Sequence, residues 1–105
     1  MSDAFLSREQ GFEAKFQFDE EQKFKVLARR DRLFGLWVAK QLGRADAEAY
    51  AADVVAANFE NPGDDDLLSK VRADLKAAGK YVSEGILQAE LVNAFTEATR
   101  QASGK

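Results

Sequence analysis

The sequence predicts an all-α protein, a four-helix bundle with a long first helix whose N-terminal part projects or is flexible. Three observations carry this. Apolar residues recur at spacings of three and four along most of the chain, the pattern of helices with one buried side. No stretch alternates β-branched and polar residues with period two, so strands are not expected. The single proline, Pro62 in Asn61-Pro62-Gly63, sits in a turn signature that divides the chain and leaves both halves free to be helical.

The first helical pattern begins at Ser7, which with Gln10 has the spacing of a capping box. Nothing decisive stops it before Leu42. Gly11 and Gly35 weaken a helix by roughly 1 kcal/mol each relative to alanine, and Gly43 is a suitable stop. Asp46 is placed to cap a second helix reaching to Glu60, with Tyr50, Val54 and Phe59 as its apolar side. Asp64, Asp65 and Asp66 cap a third and suit its positive end. Leu68, Val71, Leu75 and Ala78 form its stripe, and Gly79 closes it. Ser83 caps the fourth, where Leu87, Leu91, Phe95, Ala98 and Ala102 make the buried side, and Ser103-Gly104-Lys105 reads as a frayed end.

The first helix is the informative element. From Ser7 to Leu42 it would be about 36 residues and roughly 54 Å long, whereas a compact chain of this length has a radius of gyration of about 13 Å. Part of it must project, bend back or stay unfolded. Leu33-Phe34-Gly35-Leu36-Trp37-Val38-Ala39 is apolar nearly all round and belongs in the core, Trp37 included. Phe5, Phe12 and Phe16 share another face, separated from Leu27 by Glu20 and Lys23. The chain therefore divides into an N-terminal arm, residues 1–18, and a bundle, residues 19–105. Either the arm docks its phenylalanines into another protein's groove, or it folds back and Phe12 and Phe16 join the core.

Composition excludes several functions. The chain has no histidine and no cysteine, so the commonest general base, metal ligand and nucleophile are missing; no catalytic site and no metal site are expected. Fifteen basic against eighteen acidic residues give a net charge of −3, which argues against a nucleic-acid partner. No apolar run is long enough to insert in a membrane, and no secretory signal opens the sequence. Residues 1–32 carry seven basic and seven acidic side chains, as a solvated helix does.

Two charged clusters admit a ligand. Arg29, Arg30 and Arg32, with Trp37 two turns on, could grip and stack a nucleotide, or form a solvated face beside a core tryptophan. Asp64–Asp66 lack the spaced oxygens of a calcium loop and are better read as capping. Glu48, Asp53 and Glu60 look like a solvated face.

Three segments together resemble the α-proteobacterial ATP synthase inhibitor (zeta) subunit family. They are Arg8-Glu9 with Phe12-Glu13-Ala14-Lys15-Phe16 and Asp19-Glu20-Glu21; Phe24-Lys25 leading into Ala28-Arg29-Arg30-Asp31-Arg32-Leu33-Phe34-Gly35-Leu36-Trp37; and Asp65-Asp66 with Lys70-Val71-Arg72-Ala73-Asp74-Leu75. Asp31 and Phe34 stand where the family pattern has Asn and Leu, and the last helix matches loosely. The resemblance implies a four-helix bundle whose N-terminal segment inhibits ATP hydrolysis at the synthase's catalytic head. Phe5, Arg8, Glu9, Phe12, Glu13, Lys15 and Phe16 would then contact the head's α and β subunits. It also implies a cytoplasmic protein peripheral to the membrane-bound synthase, with no required cofactor and with ADP or ATP as a regulatory ligand. The competing expectations are a helical adaptor with another partner and an adenine-nucleotide sensor using Arg29, Arg30 and Trp37.

Overall fold

The computed structural model describes residues 19–104. Four helices follow one another: α1 (Glu20–Leu42), α2 (Ala47–Glu60), α3 (Asp64–Ala77) and α4 (Glu84–Gly104), with no strand among the described residues. The all-α expectation holds, and each helix has a local cause.

α1 starts at its own cap. Asp19 Oδ1 accepts from the Gln22 backbone N–H at 2.8 Å, and the Gln22 side chain accepts from the Asp19 N–H at 3.1 Å. This is a complete capping box, and Asp19 itself is extended (φ −75°, ψ −179°). The uninterrupted helix expected from Ser7 is therefore corrected. The carboxylate of Asp19 competes for the N–H groups that a continuous helix would bond internally. The Ser7–Gln10 box lies outside the described residues. Gly43 ends α1 as expected, at φ 75°, with its N–H turned to the carbonyls of Ala39 and Lys40.

α2 begins after Asp46, yet that side chain caps nothing. It is held instead by Arg44, whose Nε and Nη2 reach its two oxygens at 2.9 and 2.8 Å. Tyr50, Ala51 and Val54 are buried. Phe59, expected beside them, is 68% exposed. Nine residues separate it from Tyr50, and at about 100° per residue that places the two on opposite sides. α3 follows Gly63 (φ 137°) without a side-chain cap. The three aspartates lie inside its first turn, where they complement the helix dipole, but they are not its cap. Leu67, Leu68, Val71 and Leu75 are buried, whereas Ala78 falls just past the helix and is exposed. Gly79 (φ 73°) closes α3. Ser83 Oγ accepts from the Ile86 N–H at 3.3 Å and opens α4. Leu87, Leu91, Ala94 and Ala98 are buried there, Phe95 partly, while Ala102 is exposed and the helix continues through Ser103 to Gly104.

α1 is the centre: it packs along both α2 and α4, and α3 closes the side left by α2. The main core joins Phe34, Val38, Tyr50, Val54, Leu67, Val71, Leu75 and Leu87. A smaller cluster sets Val26 against Ala98 and Phe95. Trp37 is half-buried at the edge of the main core and stacks on Phe34, with ring centroids 6.2 Å apart and planes 13° apart. The expected deep burial thus belongs to Phe34 more than to Trp37.

Candidate functional site

Arg29 and Arg30 are neighbours in sequence but not in role. Arg30 is 7% exposed and its guanidinium is occupied: Nε reaches Asp31 Oδ1 at 2.9 Å, and Nη2 reaches Asp31 at 2.8 Å and Asp64 at 3.0 Å. Asp31 also accepts from Asn58 Nδ2 at 2.7 Å. One polar knot, buried at Arg30 and Asp31, therefore ties α1 to α2 and to the exposed start of α3. Burial pushes the Asp31 carboxyl above its ordinary value, against the opposing pull of Arg30 and Asn58. Arg29 is exposed and Arg32 is paired with Glu48 at 2.7 Å. Trp37 faces Phe34 rather than a guanidinium. Phe5, Arg8, Glu9, Phe12, Glu13, Lys15 and Phe16 lie outside the described residues.

A feature not anticipated from the sequence lies beside the knot. Phe24 of α1 and Phe59 of α2 meet edge to face at 5.7 Å, and with Leu27, Val55 and Pro62 they line a groove of about 240 Å³. Phe24, Leu27 and Phe59 are 53%, 42% and 68% exposed. Large apolar side chains gathered on a surface mark a place where another chain packs. Asp31 and Asn58 lie along the groove wall with their polar atoms already bonded to each other. The groove thus offers apolar contact area. The signal was present in the sequence, because Phe59 is on the side of α2 opposite Tyr50, but pairing it with Phe24 requires knowing that α1 and α2 are neighbours.

Among the described residues, no group of His, Cys, Asp and Glu is placed to hold a metal ion, and no helix is long and apolar enough to cross a membrane. The described residues thus form a helical bundle that carries an apolar surface groove. The family model for the ATPase inhibitor subunit zeta matches residues 1–101, and the chain belongs to that family. No curated protein matches it. Membership makes the ATP synthase the partner and inhibition of its ATPase the role.

Proposed function

We propose that the protein blocks ATP hydrolysis by inserting residues 1–18 at an interface between the α and β subunits of the F-type synthase head. The observation that supports this is the separate start of α1 at Asp19. α1 opens with its own capping box at Asp19, and the buried core among the described residues runs from Val26 to Ala98. The family match nonetheless extends over residues 1–18. A segment common to the family yet placed ahead of a self-capped bundle is suited to an effector role. Phe5, Phe12 and Phe16 supply apolar area, each worth on the order of 2–3 kcal/mol when fully buried. Arg8, Glu9, Glu13 and Lys15 set register and partner choice more than affinity. An inserted helix prevents the opening and closing of catalytic interfaces that rotary turnover requires. The protein then acts at the cytoplasmic side of the membrane, held there by the synthase. The test is the ATPase rate of purified synthase with and without the full chain, together with recovery of α and β subunits on the immobilised protein. An unchanged rate at saturating protein contradicts the proposal.

ADP or ATP is the proposed regulatory ligand. Arg29 is the side chain of the Arg29–Arg30–Trp37 group best suited to a phosphate, since it is exposed while Arg30 is committed to Asp31 and Asp64. Titration with ATP followed by NMR tests this. Shifts confined to residues far from Arg29 remove the site, and no shift at millimolar nucleotide removes the ligand.

A further inference from the structure

α1 and α2 share one outer face. They run antiparallel, since Phe24 meets Phe59 at one end while Gly35 lies against Ala51 further along. The Phe24–Phe59 groove continues into a second hollow between Arg32, Glu48, Ala52 and Ala56, and Val55 and Phe59 line both. Phe24, Leu27 and Phe59 are exposed on this face. Ala52 and Ala56 are exposed too, and their small side chains let another helix approach α2 closely.

The two helices carry opposite charge on this face. Lys25, Arg29 and Arg32 follow one another on α1 at spacings of four and three, so they lie on one side of the helix. Lys25 is 3.4 Å from Glu21 and Arg32 is paired with Glu48, while Arg29 is exposed and makes no ion pair among the described residues. α2 contains Glu48, Asp53 and Glu60 and no lysine or arginine. Asp53 and Glu60 are exposed, lie on one side of α2 with Ala56, and make no ion pair among the described residues. The face is therefore basic along α1, acidic along α2 and apolar between them. A surface of that kind is complementary to itself.

We propose that the occupant of the groove is a second copy of this chain, in a twofold dimer that sets α1 of each copy over α2 of the other. The twofold axis runs along the groove, so equal heights meet. At one end Phe59 of each copy packs on Phe24 of the other, and Lys25 comes to the level of Glu60, the residue after Phe59. Arg29 lies about 7.5 Å beyond Phe24 along α1, and Asp53 lies about 9 Å back from Phe59 along α2. Because the helices are antiparallel these displacements have the same direction, and Arg29 of one copy meets Asp53 of the other. An axis across the groove would instead lay α2 on α2, with Asp53 and Glu60 against the acidic side of the other copy. A contact of two helices a side is at the small end of specific interfaces, so the dimer is weak and forms with rising concentration. It does not depend on the inhibitory role.

Sedimentation equilibrium of the full chain in low-salt, nucleotide-free buffer tests this, over about 10 µM to about 1 mM. The average mass should rise from that of one chain toward that of two. Phe59→Glu should raise the dissociation constant at least about tenfold. Arg29→Glu and Asp53→Arg should each raise it roughly tenfold, since each reverses both symmetric charge contacts. All three positions are exposed, so the variants keep their fold; a circular dichroism melt verifies it. An equal mixture of Arg29→Glu with Asp53→Arg should recover the parent's association, because every charge contact in the mixed dimer is again between opposite signs. The mass of one chain at every concentration overturns the proposal. So does association that Phe59→Glu leaves unchanged, which places the contact elsewhere on the chain. Association strengthened by Asp53→Arg overturns the arrangement, since α2 would then lie on α2. Failure of the mixture to recover overturns the pairing of α1 with α2.

Discussion

At Gly35 α1 lies close against α2, and replacing it with alanine tests the packing directly. A Cβ added at Gly35 would lie 2.8 Å from the Ala51 Cα, 3.2 Å from the Val54 Cβ and 3.3 Å from the Ala51 Cβ. Carbon atoms in good contact are about 3.5–4.0 Å apart. The nearest atom is backbone and cannot rotate aside, so the helices must separate by on the order of 0.7 Å. That loosens the layer containing Phe34, Val38 and Val54, all fully buried. Overpacking of this kind costs about 1–3 kcal/mol, while the better helix propensity of alanine returns about 1 kcal/mol. Because the clash is with backbone, the cost lies toward the upper end and the net loss is about 1–2 kcal/mol. For a domain of this size that lowers Tm by roughly 5–15 °C. Gly85→Ala is the control: nothing lies within 4 Å of its added Cβ, so it should stabilise by several tenths to about 1 kcal/mol. Urea unfolding followed by circular dichroism measures both. If Gly35→Ala proves more stable than the parent, the close approach of α1 and α2 is wrong.

Other outcomes follow from the same contacts. Phe34→Ala should cost about 3–5 kcal/mol, and Trp37→Ala clearly less, because only Phe34 is fully buried; equal losses in urea melts contradict this. Tyr50→Phe removes a 2.7 Å bond donated to Asp74 and should cost about 1–2 kcal/mol, read by the same melts. Asp31 gives a pH dependence of unusual sign. Its carboxyl is raised above 3.8 when folded, so the folded state holds more protons than the unfolded one just above that pH. Stability contributed through Asp31 therefore falls as pH rises through the window between 3.8 and the raised value, and the cost of the buried charge persists above it. Asp31→Asn removes this slope, so parent stability relative to the variant should decline as pH rises across the window; a flat or rising difference contradicts the burial.

The helices were readable because their signals are local. Gly43 and Gly79 stop helices by a conformation that other residues adopt at a cost, and Ser83 opens α4 with its own hydroxyl. The Leu68–Val71–Leu75 stripe points inward because one spacing rule governs it. Where several local options competed, the sequence alone did not decide. Asp46 could cap α2 or pair with Arg44, and the bidentate pair won. Asp19 with Gln22 has the same capping spacing as Ser7 with Gln10, and the apolar pattern of the sequence does not distinguish the two. The site was less readable than the fold. Arg30 looked like a free phosphate ligand because its partner Asp64 is 34 residues away in sequence. The Phe24–Phe59 groove depends in the same way on which helices lie side by side.

The central claim is that residues 1–18 inhibit while the bundle folds without them. Deleting residues 1–18 and measuring ATPase inhibition beside thermal melting tests both halves in one protein. The account predicts that inhibition of the purified synthase is abolished and Tm changes by only a few degrees, with Phe12→Ala plus Phe16→Ala giving the same result less completely, because truncated anchors usually cost most of an interface's affinity. Retained full inhibition by the deletion would show that the arm is not the effector. Collapse of the melting transition would show instead that Phe12 and Phe16 are needed for the fold.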